Sequence, residues 1–338
     1  MAKYKVVVQK LPAAFVRIYG VAREMEREAL EPIGAEIVEV EASTEEEFIE
    51  AARDADAIIG GGRRITPNII RSLEKCRIIA GSGVGFDYVD VPAATEKGIV
   101  VTNVPDVFIE EVADHAMTLL LACWRRLTLQ DRIVREGRWP DGRGMLSGFP
   151  RLRGQTLGLI SFGNIPRLVS KRARPFGLNV LAYDPYIHEH FMNQYEVEPV
   201  TDIMELLERS DFVSMHVPLS PATRGMLGEE HFHRMKPTAI FVNTGRGPTV
   251  SEKALIKALQ EKWIAFAGLD VFEKEPVDAD NPLLKMDNVI LTAHVASASS
   301  RMMPEARRRV GREIAQVLQG RRPMSPVNPQ VLGRLGLA

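Results

Sequence analysis

The chain has only two cysteines, no long apolar run and a formal net charge of −1. Cys76 and Cys123 both lie inside apolar segments and lack the spacing of metal ligands, which favours buried thiols over a disulfide framework or a zinc site. We therefore expect no metal. No apolar stretch approaches the ~20 residues that span a bilayer, and the first residues have a strand pattern instead of a signal-peptide pattern. These absences predict a soluble, cytoplasmic protein that binds no membrane.

What the chain does have is length and apolar content. Its 338 residues, 45% of them hydrophobic, predict about two domains with a substantial buried core. Positive and negative charges are interspersed. The basic run Arg307–Arg309 lies in a helical segment, which indicates a solvated helix face and not a nucleic-acid surface.

Strand and helix patterns alternate along most of the sequence. The order is typical of an α/β fold with doubly wound parallel sheets, and we predict two Rossmann-like domains with an active-site cleft between them. The long helix predicted over residues 300–318 completes the first domain. We therefore predict a discontinuous, flavodoxin-like first domain of residues 1–103 and 297–338, and a second domain of residues 104–296.

The stretch GQTLGLISFGNIPRLVSKRARPFGLNVLAYDPY, residues 154–186, has the pattern of a nucleotide cradle. It predicts a strand over 156–160, a helix over 165–176 and a second strand over 179–183. The loop between strand and helix occupies the place of a Gly-x-Gly-x-x-Gly turn but keeps only Gly163. Ser161 and Pro166 stand at the other two glycine positions. Proline is tolerated in a first helical turn, yet we expect the two substitutions to weaken dinucleotide binding.

Three predicted strand ends in the second domain carry polar residues, namely Arg246, Glu275 and His294. Each residue alone is explained by a structural role. Arg246 and Glu275 could form surface ion pairs, and His294 could be a polar residue whose hydrogen bonds are all made within the protein. In a parallel sheet, however, such strand ends face one crevice, so together they favour a site. His115, inside the helix predicted over 109–127, is interpreted as structural or interfacial because no neighbour in sequence activates it.

Two glycine clusters follow strands of the first domain. Gly60–Gly62 is as readily a structural turn as a ligand loop. Gly81, Gly83 and Gly85 place three glycines in five positions, and such a backbone exposes N–H groups to a small anion such as a carboxylate.

Eight short segments of the sequence form a recognisable series, namely GSGVGFDYVD, VTNVPD, EEVADHAMTLLLA, RLRGQTLGLISFG, HVPLSPATRGML, FVNTGRGPTV, GLDVFEKEP and LTAHVA. These segments resemble those of the D-isomer-specific 2-hydroxyacid dehydrogenase family and follow the family's order. The resemblance covers nearly the whole chain. It implies an NAD-dependent oxidoreductase that moves a hydride between the cofactor and C2 of a small 2-oxo or 2-hydroxy acid, with D stereospecificity.

The resemblance also implies residue roles. Arg246 would hold the substrate carboxylate, His294 would be the acid/base, and Glu275 would orient and charge His294. The backbone of Gly83, Val84 and Gly85 would bind the substrate carboxylate from the other domain. The residues implied to contact the cofactor are Gly163, Asn164, Ile165, Asp184, Val217, Pro218, Thr244 and Asp270, the last at the nicotinamide carboxamide.

Asp184 ends the second strand, about twenty positions beyond the glycine loop. A carboxylate there accepts both ribose hydroxyls and repels a 2′-phosphate, which favours NAD over NADP, although the nearby His188 leaves NADP open.

Substrate identity stays open among glyoxylate, hydroxypyruvate and larger 2-oxo acids. Phosphoglycerate is disfavoured because glycines stand where phosphate-binding relatives carry an arginine, although Arg63 and Arg64 follow directly. Glu275 argues against formate dehydrogenation, where glutamine replaces it. The alternative function is an NADH-sensing binding protein of the corepressor type, with little or no turnover.

The family usually forms homodimers through the cofactor domain. Trp124 and Trp139 are candidate partner-facing anchors, and ordinary core packing is equally compatible with the pattern around them.

Overall fold

The computed structural model describes residues 2–10 and 23–337, and the chain divides into two compact units, Met1–Val107 with Ser299–Ala338 and Phe108–Ala298. The predicted α/β class with two parallel sheets is confirmed. Within the described residues, no helix is both long and apolar enough to cross a membrane.

The first unit is built on five parallel strands, β1 (Tyr4–Gln9), β2 (Ala35–Val40), β3 (Ala57–Gly60), β4 (Ile78–Gly81) and β5 (Val100–Thr102). Its helices are α1 (Glu24–Leu30), α2 (Glu45–Ala52), α3 (Pro67–Ser72), α4 (Val91–Lys97) and, from the end of the chain, α13 (Met302–Leu318). The strand order β2-β1-β3-β4-β5 is that of flavodoxin-like sheets. We predicted α1 to begin at Val21, a residue that lies outside the described part of the chain.

Two glycines at the carboxyl end of this sheet are required by Tyr88. Gly60 and Gly81 are paired neighbours on β3 and β4. A Cβ on Gly60 would lie 2.3 Å from the Tyr88 ring, and one on Gly81 would lie 2.2 Å from its hydroxyl. The ring therefore packs across both strand ends and holds the loop that follows β4.

Helix α13 packs closely on α1. A Cβ on Gly311 would lie 2.7 Å from the Glu26 carbonyl oxygen, so glycine allows this close approach. Arg307 lies in the same contact and is buried, with its Nε 3.8 Å from Glu26 Oε1. The prediction that the run Arg307–Arg309 is a solvated face was wrong for Arg307, because a buried carboxylate across the helix pair attracts it.

The second unit contains a seven-stranded parallel sheet of β6 (Thr156–Ile160), β7 (Asn179–Tyr183), β8 (Glu198–Pro199), β9 (Phe212–Met215), β10 (Ile240–Asn243), β11 (Phe266–Leu269) and β12 (Val289–Leu291). Its helices are α5 (Ile109–Trp124), α6 (Leu127–Arg135), α7 (Asp141–Gly144), α8 (Asn164–Ala173), α9 (Glu189–Asn193), α10 (Ile203–Arg209), α11 (Glu229–Arg234) and α12 (Glu252–Gln260). The order β12-β11-β10-β9-β6-β7-β8 reverses between β6 and β9. Such a switch point is where doubly wound sheets bind dinucleotides.

The helix that we predicted over residues 109–127 ends at Trp124 as α5, and a second helix that was not predicted, α6, begins at Leu127. Arg126 separates them in a left-handed conformation with φ of 49°. Its guanidinium lies over the rings of Phe149 and Phe266, at 4.8 and 5.4 Å from their centroids. These contacts stabilise a backbone conformation that costs an L-residue about 1–2 kcal/mol.

Candidate active site

The three predicted catalytic residues all follow strands that are neighbours in the sheet of the second unit. Arg246 comes after β10, Glu275 after β11 and His294 after β12. Because the strands are parallel, their carboxyl ends lie at one edge. The structure therefore brings the loops of these residues together.

Glu275 and His294 form a direct pair. The Nδ1 atom of His294 lies 2.7 Å from Glu275 Oε2, and Glu275 Oε1 accepts the backbone N–H of Phe272 at 3.0 Å. Since a carboxylate only accepts hydrogen bonds, Nδ1 carries a proton and Nε2 is left for another partner. The pair is partly exposed, with 46% of the His294 and 35% of the Glu275 side chain accessible.

The pKa values of the two groups move apart. The hydrogen bond from Glu275 raises the pKa of His294, against the opposing effects of partial burial and of the positive charge of Arg246. For Glu275, burial is the largest influence and raises the pKa. The hydrogen bonds from His294 and Phe272, with the charges of His294 and Arg246, outweigh it and bring the pKa below its ordinary value.

Arg246 is held by its own loop and by the next one. Its Nη1 donates to Gly245 O at 2.8 Å, and its carbonyl oxygen accepts from the Thr249 hydroxyl at 2.6 Å. The following residue, Gly247, packs on the loop after β11, since a Cβ there would lie 1.9 Å from the Phe272 carbonyl group. Phe272 in turn donates to Glu275, so Arg246 and Glu275 are positioned by one packed pair of loops.

Asp270 holds the segment that carries His294. It is fully buried, and its carboxylate accepts the backbone N–H groups of Val295 and Ala296, each at 2.9 Å. Its carbonyl oxygen accepts the N–H of His294, whose φ of 51° is unusual for an L-residue. The implied contact of Asp270 with a nicotinamide carboxamide stays a prediction.

Thr292 and His115 extend the hydrogen-bond network of Asp270, and the three residues together form the anchor of the segment that carries His294. The Thr292 hydroxyl donates to Asp270 Oδ1 at 2.6 Å, and His115 Nε2 lies 2.9 Å from the same hydroxyl oxygen. Because the hydroxyl hydrogen is used on Asp270, His115 must donate to Thr292 through Nε2–H. The structural interpretation of His115 agrees with this arrangement. Sequence reasoning missed Thr292, whose only signal was a hydroxyl residue two positions before His294.

The loop between β6 and α8 keeps the backbone shape of the glycine fingerprint. Ser161 has φ of 83°, a conformation that favours glycine. Gly163 is the N-cap of α8, and a Cβ there would meet nothing within 4 Å among the described residues. Contacts with those residues therefore do not require this glycine, and it leaves room for the close approach of a ligand. Pro166 is the third residue of α8, where a missing N–H breaks no intrahelical hydrogen bond.

Asp184 is fixed beside this loop. Its Oδ2 accepts the N–H of Phe162 at 2.8 Å and the Ser161 hydroxyl at 3.3 Å, and its Oδ1 accepts the N–H of Tyr186 at 2.9 Å. The carboxylate therefore lies at the carboxyl end of β7, joined to the turn that would meet the pyrophosphate.

The other implied cofactor residues follow β9 and β10. Val217 is buried and Pro218 is exposed. Thr244 is buried, and its hydroxyl has no hydrogen-bond partner among the described residues. Buried polar groups are normally paired, so this hydroxyl, at the end of β10 and one strand away from the switch point, fits a bound dinucleotide.

In the first unit, Gly83, Val84 and Gly85 lie in the loop after β4. The carbonyl oxygen of Gly83 accepts the N–H of Val104 at 2.9 Å, and that of Val84 accepts the Asn103 side chain at 2.7 Å. No protein acceptor for the three N–H groups is found within residues 2–10 and 23–337. The loop therefore retains donors for an anion.

A sequence model of the D-isomer specific 2-hydroxyacid dehydrogenase NAD-binding domain matches residues 117–296. A glyoxylate reductase of Korarchaeum cryptofilum is 44% identical over 288 residues, or 84% of this chain and 86% of that protein. The chain belongs to the D-isomer specific 2-hydroxyacid dehydrogenase family. The predicted family is confirmed, and with it a dehydrogenase that uses a nicotinamide dinucleotide.

Two further relatives of this dehydrogenase are informative. A D-3-phosphoglycerate dehydrogenase of Methanocaldococcus jannaschii is 43% identical over 297 residues, which are 87% of this chain but only 56% of that protein. The crystal structure of an NADPH-dependent glyoxylate/hydroxypyruvate reductase from Sinorhizobium meliloti, in complex with NADP and malonate, superposes with a TM-score of 0.83 at 32% identity, covering 96% of this chain and 97% of that one.

Replacing Ser161 with glycine tests whether the dehydrogenase's altered fingerprint is strained. Relief of the positive φ is worth about 1–2 kcal/mol, and the added freedom of the unfolded chain costs about 0.5–1 kcal/mol. We expect a net stabilisation of up to about 1.5 kcal/mol in urea unfolding and tighter NADH binding in a fluorescence titration. Ser161→Ala is the matched control, because it removes the hydroxyl and keeps the strain. Equal or weaker NADH binding by the glycine variant would show that the serine is adapted to this loop.

Proposed function

We propose that the protein reduces the C2 carbonyl of a small 2-oxo acid to a D-2-hydroxy acid, with His294 as the acid/base. The observation that carries this proposal is the Glu275–His294 pair at 2.7 Å, beside the loop of Arg246 at one sheet edge. The nicotinamide supplies the hydride for reduction and accepts it for oxidation. All other steps belong to side chains and backbone groups of the chain.

His294 moves the proton. With Nδ1–H held by Glu275, a protonated Nε2 donates to the oxygen at C2 as that oxygen becomes negative. The raised pKa keeps more of the imidazole protonated near neutral pH. In the oxidation direction the neutral Nε2 accepts the hydroxyl proton, and Glu275 stabilises the imidazolium that forms.

Arg246 binds and polarises the substrate in this proposal. A guanidinium recognises a carboxylate through two parallel hydrogen bonds, and its charge stabilises the developing oxyanion. The free N–H groups of Gly83, Val84 and Gly85 support a second hold on the substrate carboxylate. In this proposal, residues 1–103 with 297–338 form the substrate-binding domain. Residues 104–296 form the NAD-binding domain.

Among the open substrates, we favour an unphosphorylated acid. Arg63 already makes two hydrogen bonds within its own unit, from Nε to Gln9 Oε1 at 3.0 Å and from Nη2 to Ala42 O at 2.8 Å, which disfavours its use on a phosphate. Several relatives are glyoxylate reductases, including that of Thermofilum pendens at 40% identity. Initial rates of NADH consumption with glyoxylate, hydroxypyruvate, pyruvate and phosphohydroxypyruvate test the proposal. Phosphohydroxypyruvate as the best substrate would contradict the choice of an unphosphorylated acid, and no turnover of any of the four acids would contradict the reaction itself.

We favour NAD over NADP because of Asp184. Its carboxylate is fixed by three donors at the end of β7, where it accepts ribose hydroxyls and repels a 2′-phosphate. We expect kcat/KM with NADH to exceed that with NADPH by about tenfold or more, because a carboxylate placed beside a 2′-phosphate repels it, and a repulsion of about 1.4 kcal/mol already gives a factor of ten. A preference for NADPH, the cofactor of the Sinorhizobium relative, would overturn this assignment.

The pH dependence of reduction tests the role of Glu275. Reduction needs protonated His294, so the rate falls as pH rises through the pKa of that group. Glu275 raises this pKa. In Glu275→Gln we therefore expect the alkaline limb of kcat/KM to move to lower pH and kcat to fall. Asp278→Asn is the control, because Asp278 is exposed nearby and pairs with Lys274. If the alkaline limb of kcat/KM lies at the same pH in Glu275→Gln as in the wild-type protein, Glu275 has no part in the mechanism.

A homodimer through the cofactor domain also stays part of the proposal. Trp124 is buried in the core, with Phe149 and Phe212 packed edge-on against it, so it is not a partner anchor. Trp139 is 76% exposed, and Leu127 and Val134 on α6 are exposed beside it in sequence. Such apolar exposure is typical of an interface. A single-chain mass by light scattering would contradict the dimer.

We also propose a cytoplasmic location. Cys76 and Cys123 are both free thiols, and burial raises the pKa of each to about 12. Unpaired, unreactive thiols agree with a reducing compartment.

A further inference from the structure

The first unit contains a cavity of about 240 Å³ at the carboxyl edge of its sheet. The ends of β1 and β3 form one wall, and Gly61 and Gly62 continue it. Met303 and Arg307 of α13 form another, and Arg23 and Glu26 face the same space. Ligands of open parallel sheets bind at this edge, so the position is that of a binding site.

Glu26 gives the cavity its chemistry. It is 1% exposed, and its Oε1 accepts from Arg23 Nη1 at 2.9 Å. Its Oε2 atom is buried and has no hydrogen-bond donor among the described residues. Leaving a buried charged acceptor unsatisfied costs free energy. A ligand that supplies a donor would recover it, whereas an anion would be repelled.

Arg23 and Arg307 do not make the cavity an anion site. Arg23 donates through Nε to Glu39 and through Nη1 to Glu26. Arg307 lies 3.8 Å from Glu26. Each guanidinium therefore has a carboxylate near it, and the four charges balance. The group that distinguishes one ligand from another is the free oxygen of Glu26.

The cavity adjoins the predicted substrate carboxylate site. Ser82 lines it, and the next residues along the chain are Gly83, Val84 and Gly85. An acid whose carboxylate binds the N–H groups of these residues has its other end within reach of the cavity. At about 30 Å³ for each water, the volume holds about eight waters, which is more than a methyl or hydroxymethyl group needs.

The geometry points to a selectivity pocket for the distal group of the substrate, in which Glu26 accepts a hydrogen bond from a hydroxyl or ammonium group and excludes a phosphate or second carboxylate. This inference rests on the proposed reduction of 2-oxo acids. It adds the chemical class of the distal group, one that donates a hydrogen bond and carries no negative charge.

The wild-type protein tests this first, with no variant that must fold. Pyruvate and hydroxypyruvate differ only by a hydroxyl on C3, so the ratio of their kcat/KM values reports that hydrogen bond. A bond to a charged group is worth a factor of about ten to a hundred. We expect hydroxypyruvate to be favoured over pyruvate by about tenfold or more, and phosphohydroxypyruvate to be poorer than hydroxypyruvate. A pyruvate preference or a phosphohydroxypyruvate preference would overturn the inference.

Glu26→Gln then tests the residue itself. It keeps the side-chain shape and removes the charge. We expect the hydroxypyruvate to pyruvate ratio to fall about tenfold and the relative kcat/KM of phosphohydroxypyruvate to rise. Glu28→Gln is the matched control, because Glu28 lies on the same helix but is exposed and pairs with Arg308. Ratios that are equal in Glu26→Gln and Glu28→Gln would overturn the role of Glu26.

Failure of the inference and failure of the proposed function are distinguishable. If the wild-type protein reduces glyoxylate but shows neither expected substrate ratio, only the selectivity pocket is wrong. If it reduces none of the four acids while it binds NADH, the proposed reaction itself is wrong.

Discussion

Replacing His294 with alanine is expected to lower kcat for 2-oxo acid reduction by about 10²–10⁴, the usual contribution of a positioned general acid. The imidazole is the group whose pKa the neighbouring carboxylate raises, and in the described part of the chain no other imidazole is paired with Glu275. Without it, the proton must come from water. NADH binding, measured by fluorescence titration, is expected to persist, because the implied cofactor contacts lie on other loops.

The control for this variant is His190→Ala. His190 is an exposed histidine of α9, bonded to Gln194 of the same segment, so its loss is expected to leave turnover near the wild-type value. Near-wild-type turnover by His294→Ala would remove the acid/base assignment. A loss of NADH binding with a lowered melting temperature would indicate a structural role for His294 instead.

Replacing Arg246 with alanine is expected to lower kcat/KM by about a thousandfold or more. The variant removes the bidentate hold on the carboxylate and the charge that faces the developing oxyanion, and loss of one such donor alone costs about 10²–10³ in kcat. Both KM and kcat are expected to worsen. Arg246→Lys is expected to recover only part of the rate, because an ammonium keeps the charge without the planar fork.

Arg234→Ala is the matched control, because Arg234 is on the surface in α11 and pairs with Glu208. Unchanged kcat/KM in Arg246→Ala would exclude Arg246 from the substrate site. Arg246→Ala also tests the electrostatic coupling between Arg246 and His294. The positive charge of Arg246 lowers the pKa of His294, and we therefore expect this pKa to rise in the alanine variant.

Local sequence was sufficient to predict secondary structure where residues close together in the chain decide it. Strands β6 and β7 have the predicted bounds, because an apolar run defines each of them. Helix α4 was not predicted. It buries only Ala94 and therefore has no apolar periodicity, although Asp90 and Pro92 mark its start.

Features that depend on distant residues were not predictable. The break between α5 and α6 depends on Arg126 and the two rings that it covers. The burial of Arg307 depends on Glu26, which is remote in sequence. In both cases a charged side chain is placed by partners that no local window contains.

The candidate site also has a part that the sequence predicted and a part that it did not. Strand-end reasoning and the family resemblance predicted Arg246, Glu275 and His294 together, because polar residues in the loops that follow apolar strands are visible in the sequence. The anchor formed by Asp270, Thr292 and His115 was not foreseen. It depends on side-chain hydrogen bonds between β11, β12 and α5, which only the folded chain reveals.

The most direct test is to incubate the wild-type protein with hydroxypyruvate and NADH that carries deuterium at both C4 positions of the nicotinamide, and to analyse the product. Hydride transfer to C2 predicts D-glycerate that carries deuterium at C2, formed with one equivalent of NADH oxidised. Tight NADH binding without product from hydroxypyruvate or glyoxylate would contradict the account and favour a dinucleotide sensor.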